Sequence, residues 1–255
     1  ANLYPHDSGL KTAICQYLGN GLTERNILLS SGSMNAIYVI NAAFLREGAK
    51  VLGICPQFSD YMSNARVLGY DYRAVPLCAG RGWSFDCAAI LDALDDSFSL
   101  VYIDNPNNPT GQVFPLDDLR AIADAARKLG VCVIIDEAYG EFMEPENSAV
   151  SLLGEYDNLI VKLSNPYAVS EPARMVCQAA MSDKSFLPAC RQSIAARKTA
   201  MRKAIGRRLR MAPSCDTVPI CLLEHEDAGC DLQQLFAREG VSVVSGGDFL
   251  SLGRN

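Results

Sequence analysis

Histidine is scarce in this sequence: only His6 and His225 occur in 255 residues, and neither has zinc-ligand spacing. Histidine-based triads and metal chemistry are disfavoured accordingly. Ten cysteines are present, but none forms a Cys-x-x-Cys pair, and several sit within apolar stretches as small hydrophobes. That scatter argues against a disulfide scaffold and for a reduced, cytoplasmic protein. No apolar run approaches the roughly 20 residues of a membrane span. The N-terminus lacks the charged-then-apolar pattern of a secretory signal. No basic run is interleaved with aromatics, and a net charge of −6 disfavours nucleic acid as a partner. The densest basic stretch, Arg197 to Arg210, reads as the solvated face of a helix. No internal repeat or low-complexity segment is present.

What remains is an ordinary globular composition, 49% hydrophobic and 20% charged, long enough for one large or two smaller domains. Asp7 and Ser8 can cap a helix carrying Leu10, Ile14, Tyr17 and Leu18. Ile27-Leu28-Leu29 is a predicted short strand, followed by Ser30-Ser31-Gly32-Ser33 and a predicted helix from about Met34 to Leu45. Further strands are expected at Val51–Cys55, Tyr72–Val75, Leu100–Ile103, Val131–Ile135 and Leu159–Val161. Leu116, Leu119, Ile122, Ala126 and Leu129 mark a helix between the third and fourth of these. Apolar strands alternating with helices predict an α/β fold, a mostly parallel sheet sandwiched by helices. From Phe186 the pattern changes. Phe186, Cys190, Ile194, Met201, Ile205 and Leu209 share one face of a long predicted helix. Thr217–Leu223, Leu232–Phe236 and Val241–Val244 then read as strand, helix and strand. The expected division is a large domain over 6–182 and a smaller α+β domain over 183–255.

Two motifs carry the chemistry. Asn105-Pro106-Asn107-Asn108-Pro109-Thr110-Gly111 follows one predicted strand, and Asp136-Glu137-Ala138-Tyr139 ends the next. Open α/β sheets gather ligands at the carboxyl ends of their strands. An acid, an amide and a phenol there could grip an aromatic nitrogen heterocycle by its polar edges. Read alone, each is ordinary: Asp136 could cap a helix, the Asn-Pro string could be a plain turn, and Tyr139 could be a core phenol. Ser31-Gly32-Ser33-Met34 adds a strand-to-helix junction, where a helix N-terminus can receive an anion.

The seven-residue string, the Asp-x-x-Tyr pair and their order resemble the fold-type I pyridoxal-phosphate enzymes, within them the histidinol-phosphate aminotransferase-like class I/II branch. The resemblance implies pyridoxal 5′-phosphate as cofactor, with Asp136 on the pyridine nitrogen. It places Asn108 and Tyr139 on the 3′ oxygen and Phe58 against the ring face. It also implies that the backbone of Gly32, Ser33 and Met34 holds the phosphate, together with the Ser164 hydroxyl. Tyr4 is similar to a tyrosine that reaches the phosphate in the other subunit, which implies a homodimer. The implied reaction moves an amino group between an amino acid, or an amino-alcohol phosphate, and a 2-oxo acid, in amino-acid biosynthesis. A decarboxylase or lyase of the same fold, similar to the threonine-phosphate decarboxylases, is the alternative.

The chain departs from the family at one decisive place. Leu159 to Ser164 resembles the strand leading to the cofactor lysine, yet Ser164 is followed at once by Asn165-Pro166-Tyr167-Ala168-Val169. The family shows such a run roughly thirty residues later. The lysine is expected between Ser164 and Asn165. A gap in the sequence accounts for this, because each flank matches its own family position; a true deletion would leave a lysine-less, non-catalytic relative. Lys162 is a poor substitute, since it falls inside the strand. The resemblance also implies family segments before Ala1 and after Asn255, including an arginine strand that Arg254 does not match.

Overall fold

The computed structural model describes residues 9–30, 32–163 and 171–255, without the side chains of residues 33, 162, 163, 171 and 173. Five strands form one parallel sheet: β1 (Lys50–Cys55), β2 (Asp71–Pro76), β3 (Phe98–Asp104), β4 (Cys132–Glu137) and β5 (Leu159–Leu163). Their spatial order is β2-β1-β3-β4-β5. The helices are α1 (Leu10–Leu18), α2 (Ser33–Phe44), α3 (Ser59–Val67), α4 (Cys87–Ala93), α5 (Leu116–Leu129), α6 (Glu171–Ser182), α7 (Phe186–Ala204) and α8 (Leu232–Arg238). A small antiparallel pair, β6 (Leu209–Met211) with β7 (Leu223–His225), lies in the C-terminal part.

The sheet is buried on both faces, which explains its nearly uninterrupted apolar strands. Side chains alternate along each strand. Val101, Ile103, Val133 and Ile135 pack with Ile90 of α4 and with Leu119, Ile122 and Ala126 of α5. Leu100, Tyr102 and Ile134 face the other way, against Ile37 and Ile40 of α2 and Tyr61 and Ala65 of α3. Helix α5 shows how locally the sequence specifies its elements. Asp117 and Asp118 open its first turn, Arg127 and Lys128 close its last, and Gly130 ends it at φ 72°.

The chain runs from β1 outward to β2, then crosses back to β3 on the other side of β1. Strand order therefore reverses between β1 and β3, and such a switch point opens a crevice at the carboxyl edge of an α/β sheet. The paired register of β1 with β3 reaches only Leu52↔Val101, leaving the carboxyl ends beyond it without a shared ladder.

Several expected elements differ. Ile27–Leu29 forms no strand; Leu28 is 69% exposed, and no described strand lies alongside to supply a ladder. In place of a strand over Thr217–Leu223, pairing starts at Leu223. Val241–Val244 forms no strand either, and Val244 is 71% exposed. The long helix stops at Ala204, because Ile205 leaves helical geometry and Leu209 pairs with His225. The basic stretch Arg197–Arg210 is thus helical only in part, and it contains a buried lysine, Lys198. The expected caps Asp7 and Ser8 lie outside the described residues; Gly9 occupies the cap of α1. Helices α3, α4 and α6 were not anticipated.

Gly111 joins the two parts of the molecule. It has φ +70°, its carbonyl accepts from the Cys215 amide at 2.9 Å, and an added Cβ would lie 2.2 Å from the Ile220 carbonyl oxygen. Gly111→Ala is expected to cost at least about 2 kcal/mol, from left-handed strain plus that overlap. Urea denaturation measures this, and a change below about 0.5 kcal/mol would contradict the packing.

Candidate functional site

The strand ends and the C-terminal part enclose a cleft of about 1140 Å³. Phe58, just past β1, lines it, as do Asn108 and Pro109 past β3 and Tyr139 past β4. Trp83, Leu223, Phe236 and Phe249 supply apolar wall, with Arg210 and Glu224 at its polar side. Three of the site residues expected from sequence therefore meet in one cavity.

The Asn-rich turn owes its shape to two buried asparagines, while the third faces the cleft. Asn105 Oδ1 accepts from the Phe114 amide at 2.8 Å. Asn107 Nδ2 donates to the Pro56 carbonyl at 3.1 Å, and its Oδ1 accepts from the Thr110 hydroxyl at 2.6 Å and the Thr110 amide at 3.2 Å. Both asparagines are fully buried. Asn108, half-buried, is the amide the turn presents.

Asp136 is 3% exposed and is the penultimate residue of β4, directly opposite Asp104 of β3. Its Oδ1 accepts from the Ala138 amide at 3.1 Å, and its Oδ2 accepts a close bond from the Tyr102 hydroxyl. Tyr102 stacks on Tyr61 with ring centroids 3.5 Å apart and planes 8° from parallel. Burial beside Asp136 and Asp104 pushes the Tyr102 phenol well up, so it stays a hydroxyl donor to the carboxylate. Asp136 is not part of the described cleft lining; it sits near the carboxyl end of β4.

Gly32, Ser33 and Met34 open α2, with Gly32 at φ 86° in the cap position. Twelve residues of aligned peptide dipoles make this end positive. Met34 packs against the cluster that contains Tyr102 and Ile134, which ties this helix end to the Asp136 face of the sheet. These three residues are absent from the described cleft lining. Tyr4 and Ser164 lie outside the described residues, as does the junction with Asn165.

No lysine is among the described residues lining the cleft. Lys198, the one buried lysine among the residues whose side chains are described, is committed elsewhere. Its ammonium donates to Ser214 Oγ at 3.1 Å and to the carbonyls of Cys215 and Ile220, each at 2.7 Å. Those three bonds use all its N–H groups and pin the loop that packs on Gly111. No cluster of three metal-ligating side chains exists among the described residues, and none of the ten cysteines is in a disulfide.

These residues suit a planar pyridine bearing a phenolic oxygen. An aromatic face, an amide and a phenol share one cavity at the switch point, and a buried carboxylate sits near the carboxyl end of the adjoining strand β4. The sequence reading missed Asp104, Gln57, Tyr102, Trp83 and Lys198. Period-two alternation in β3, which aligns Tyr102 and Asp104 with the Asp136 face, was the available signal for two of them.

Residues 3–164 match the family model described as aminotransferase class I and II. The chain belongs to that family. Among curated relatives, a histidinol-phosphate aminotransferase of Thermobifida fusca is 37% identical over 174 residues, covering 66% of this chain and 46% of that protein. Another, from Anoxybacillus flavithermus, is 28% identical over 223 residues, covering 74% of this chain and 58% of that one. The chain thus spans about half to three-fifths of the length of these relatives. In the latter alignment 74% of 255 residues is about 189, so about 34 of the 223 positions have no counterpart here. The fold matches the histidinol-phosphate aminotransferase of Clostridium acetobutylicum with a TM-score of 0.83 at 20% identity, covering 99% of this chain and 84% of that chain. It matches the Sinorhizobium meliloti enzyme, solved in complex with pyridoxal-5′-phosphate, with a TM-score of 0.78 at 20% identity, covering 94% and 73% respectively.

Two buried acids give a pH signature. Burial is the main cause that pushes the Asp104 and Glu137 carboxyls each up to about 7. The folded protein then keeps protons that the unfolded chain releases near pH 4. For these groups stability is full below pH 4 and falls as pH rises toward 7. Glu137, which accepts from Ser148 Oγ at 2.7 Å and the Ala149 amide at 2.6 Å, isolates the effect. Glu137→Gln is expected to flatten the decline in melting temperature between pH 5 and 7.5 relative to wild type. Parallel profiles for the two proteins would contradict the assignment.

Proposed function

We propose that this chain is the cofactor-binding core of a pyridoxal 5′-phosphate-dependent aminotransferase. It would move an amino group between an amino acid, or an amino-alcohol phosphate of the histidinol-phosphate type, and a 2-oxo acid. The observation that carries this is the meeting of Phe58, Asn108 and Tyr139 in one cavity, with the Asp136 carboxylate buried at the neighbouring strand end. The curated relatives described above are named aminotransferases, which favours amino transfer over the decarboxylase or lyase alternative.

Each residue has a role in this reading. Asp136 holds a proton on the ring nitrogen, its charge favouring the protonated ring. Tyr102 and the Ala138 amide fix the carboxylate that does so. Asn108 and Tyr139 bind the ring's phenolic oxygen. Phe58 covers one ring face and excludes water from it. The amides of Gly32, Ser33 and Met34 receive the phosphate. Bound there, the cofactor supplies an electron sink for a substrate carbanion.

Tyr4 from a second copy and Ser164 complete the phosphate site in this reading, which makes the protein a homodimer. The large and small parts divide at 182/183. A cytoplasmic setting fits the ten free thiols, and no helix among the described residues is long and apolar enough to cross a membrane. The lysine that anchors the cofactor belongs between Ser164 and Asn165. The 34 or so unmatched alignment positions support a missing stretch of this kind.

Intact mass, before and after borohydride reduction with pyridoxal 5′-phosphate, tests the reading. A mass some thousands of daltons above 27.6 kDa, with one reduced cofactor attached, is expected. A mass of 27.6 kDa without adduct would instead favour a lysine-less, non-catalytic relative. In the active enzyme Asp136→Asn is expected to lower kcat about a hundredfold or more, the scale of removing a preorganised electrostatic partner. An unchanged kcat in amino-transfer assays would remove Asp136 from the site.

A further inference from the structure

Asp104 is the buried carboxylate that nothing in the proposed chemistry uses, and its surroundings are unusual. It is 4% exposed. Its Oδ2 accepts from the Asn108 amide at 2.9 Å and from the Phe58 amide at 3.3 Å. Its Oδ1 accepts from Asn107 Nδ2 at 2.9 Å and Gln57 Nε2 at 3.2 Å. Four N–H donors thus converge on one side chain from two separate segments, the one after β1 and the one after β3.

Those segments flank the switch point, where the β1–β3 ladder has already ended at Leu52↔Val101. Backbone pairing therefore cannot set the distance between Phe58 and Asn108. We infer that Asp104 is a positioning residue, whose carboxylate spans the open end of the sheet and sets the ring-stacking Phe58 and the ring-binding Asn108 in register with each other. Gln57 buttresses it, donating also to the Tyr102 carbonyl at 3.1 Å and accepting from the Tyr72 hydroxyl. Four N–H donors suit an acceptor-only group, which Asp104 is once ionised, above a pH of about 7, and which a carboxamide never is. In Asp104→Asn, one amide nitrogen must face two N–H groups.

This rests on the reading of the cleft as a pyridoxal-phosphate site. The probe is pyridoxamine 5′-phosphate, which needs no lysine anchor. Its affinity is measured by calorimetry above the Asp104 pKa of about 7, and its bound absorption and induced circular dichroism report the ring's environment. Wild type, Asp104→Asn and Glu137→Gln are compared, each checked for folding by thermal melting. Glu137 is the matched control: a buried acid on β4 whose donors, Ser148 and Ala149, lie outside the described cleft lining.

The expected result is binding to wild type and Glu137→Gln alike. Asp104→Asn should bind at least about tenfold more weakly, the scale of losing hydrogen bonds to a charged group, with an altered dichroic band at saturation. Unchanged affinity and band in Asp104→Asn, with wild type binding, would overturn the positioning role and leave the cleft reading intact. Equal weakening in Glu137→Gln would overturn it too, by showing a general effect of core acids. Absence of binding to wild type would instead overturn the cleft reading. Should Asp104→Asn fail to fold, Asp104→Glu keeps the charge but moves the oxygens by one methylene. A shifted band with weakened binding then supports the role, and wild-type behaviour overturns it.

Discussion

The carboxylate of Asp104 closes a gap that the sheet's own topology creates. Reversal of strand order parts β1 from β3 at their carboxyl ends, and a crevice that can admit a ligand is also one that backbone pairing cannot hold in shape. The structure answers with side chains. Asp104 collects four N–H groups across the gap, and Asn107 adds a bond to the Pro56 carbonyl. An isolated buried carboxylate would be costly, and these donors offset that cost. The positions of Phe58 and Asn108 on the cleft's sheet side follow from this arrangement.

A second constraint comes from the C-terminal part, which forms the other wall. Lys198 pins the loop of Ser214 to Ile220, and that loop rests on Gly111 with no room for a Cβ. Trp83 donates to Glu224, which Arg210 also engages. The turn that presents Asn108 is thus held from both sides. Its glycine satisfies close packing against a neighbouring carbonyl as well as a left-handed φ.

The parallel sheet and its helices α2 and α5 were legible because their signals are local and redundant. β4 is apolar over four consecutive residues before Asp136, and α5 carries its C-terminal glycine cap and its charge gradient. The candidate site was legible through two strings whose order matched a family. Elements that depend on a distant partner were not legible. Ile27–Leu29 and Val241–Val244 have strand composition and no neighbouring ladder, so composition alone misassigned them. Asp104 was hidden for a related reason. Its importance lies in facing Phe58, 46 residues away, across a gap that exists only once strand order is known. Lys198 was hidden among exposed arginines of the same helix, because only the packed loop reveals that it is buried.

In the proposed reading, the crevice between β1 and β3 is where a pyridine ring is held. A crystal structure of this chain with pyridoxamine 5′-phosphate tests it most directly. The ring is expected against Phe58, with its nitrogen toward Asp136 and its phenolic oxygen between Asn108 and Tyr139. A ring bound elsewhere, or one that leaves Phe58 and Asn108 untouched, would contradict it.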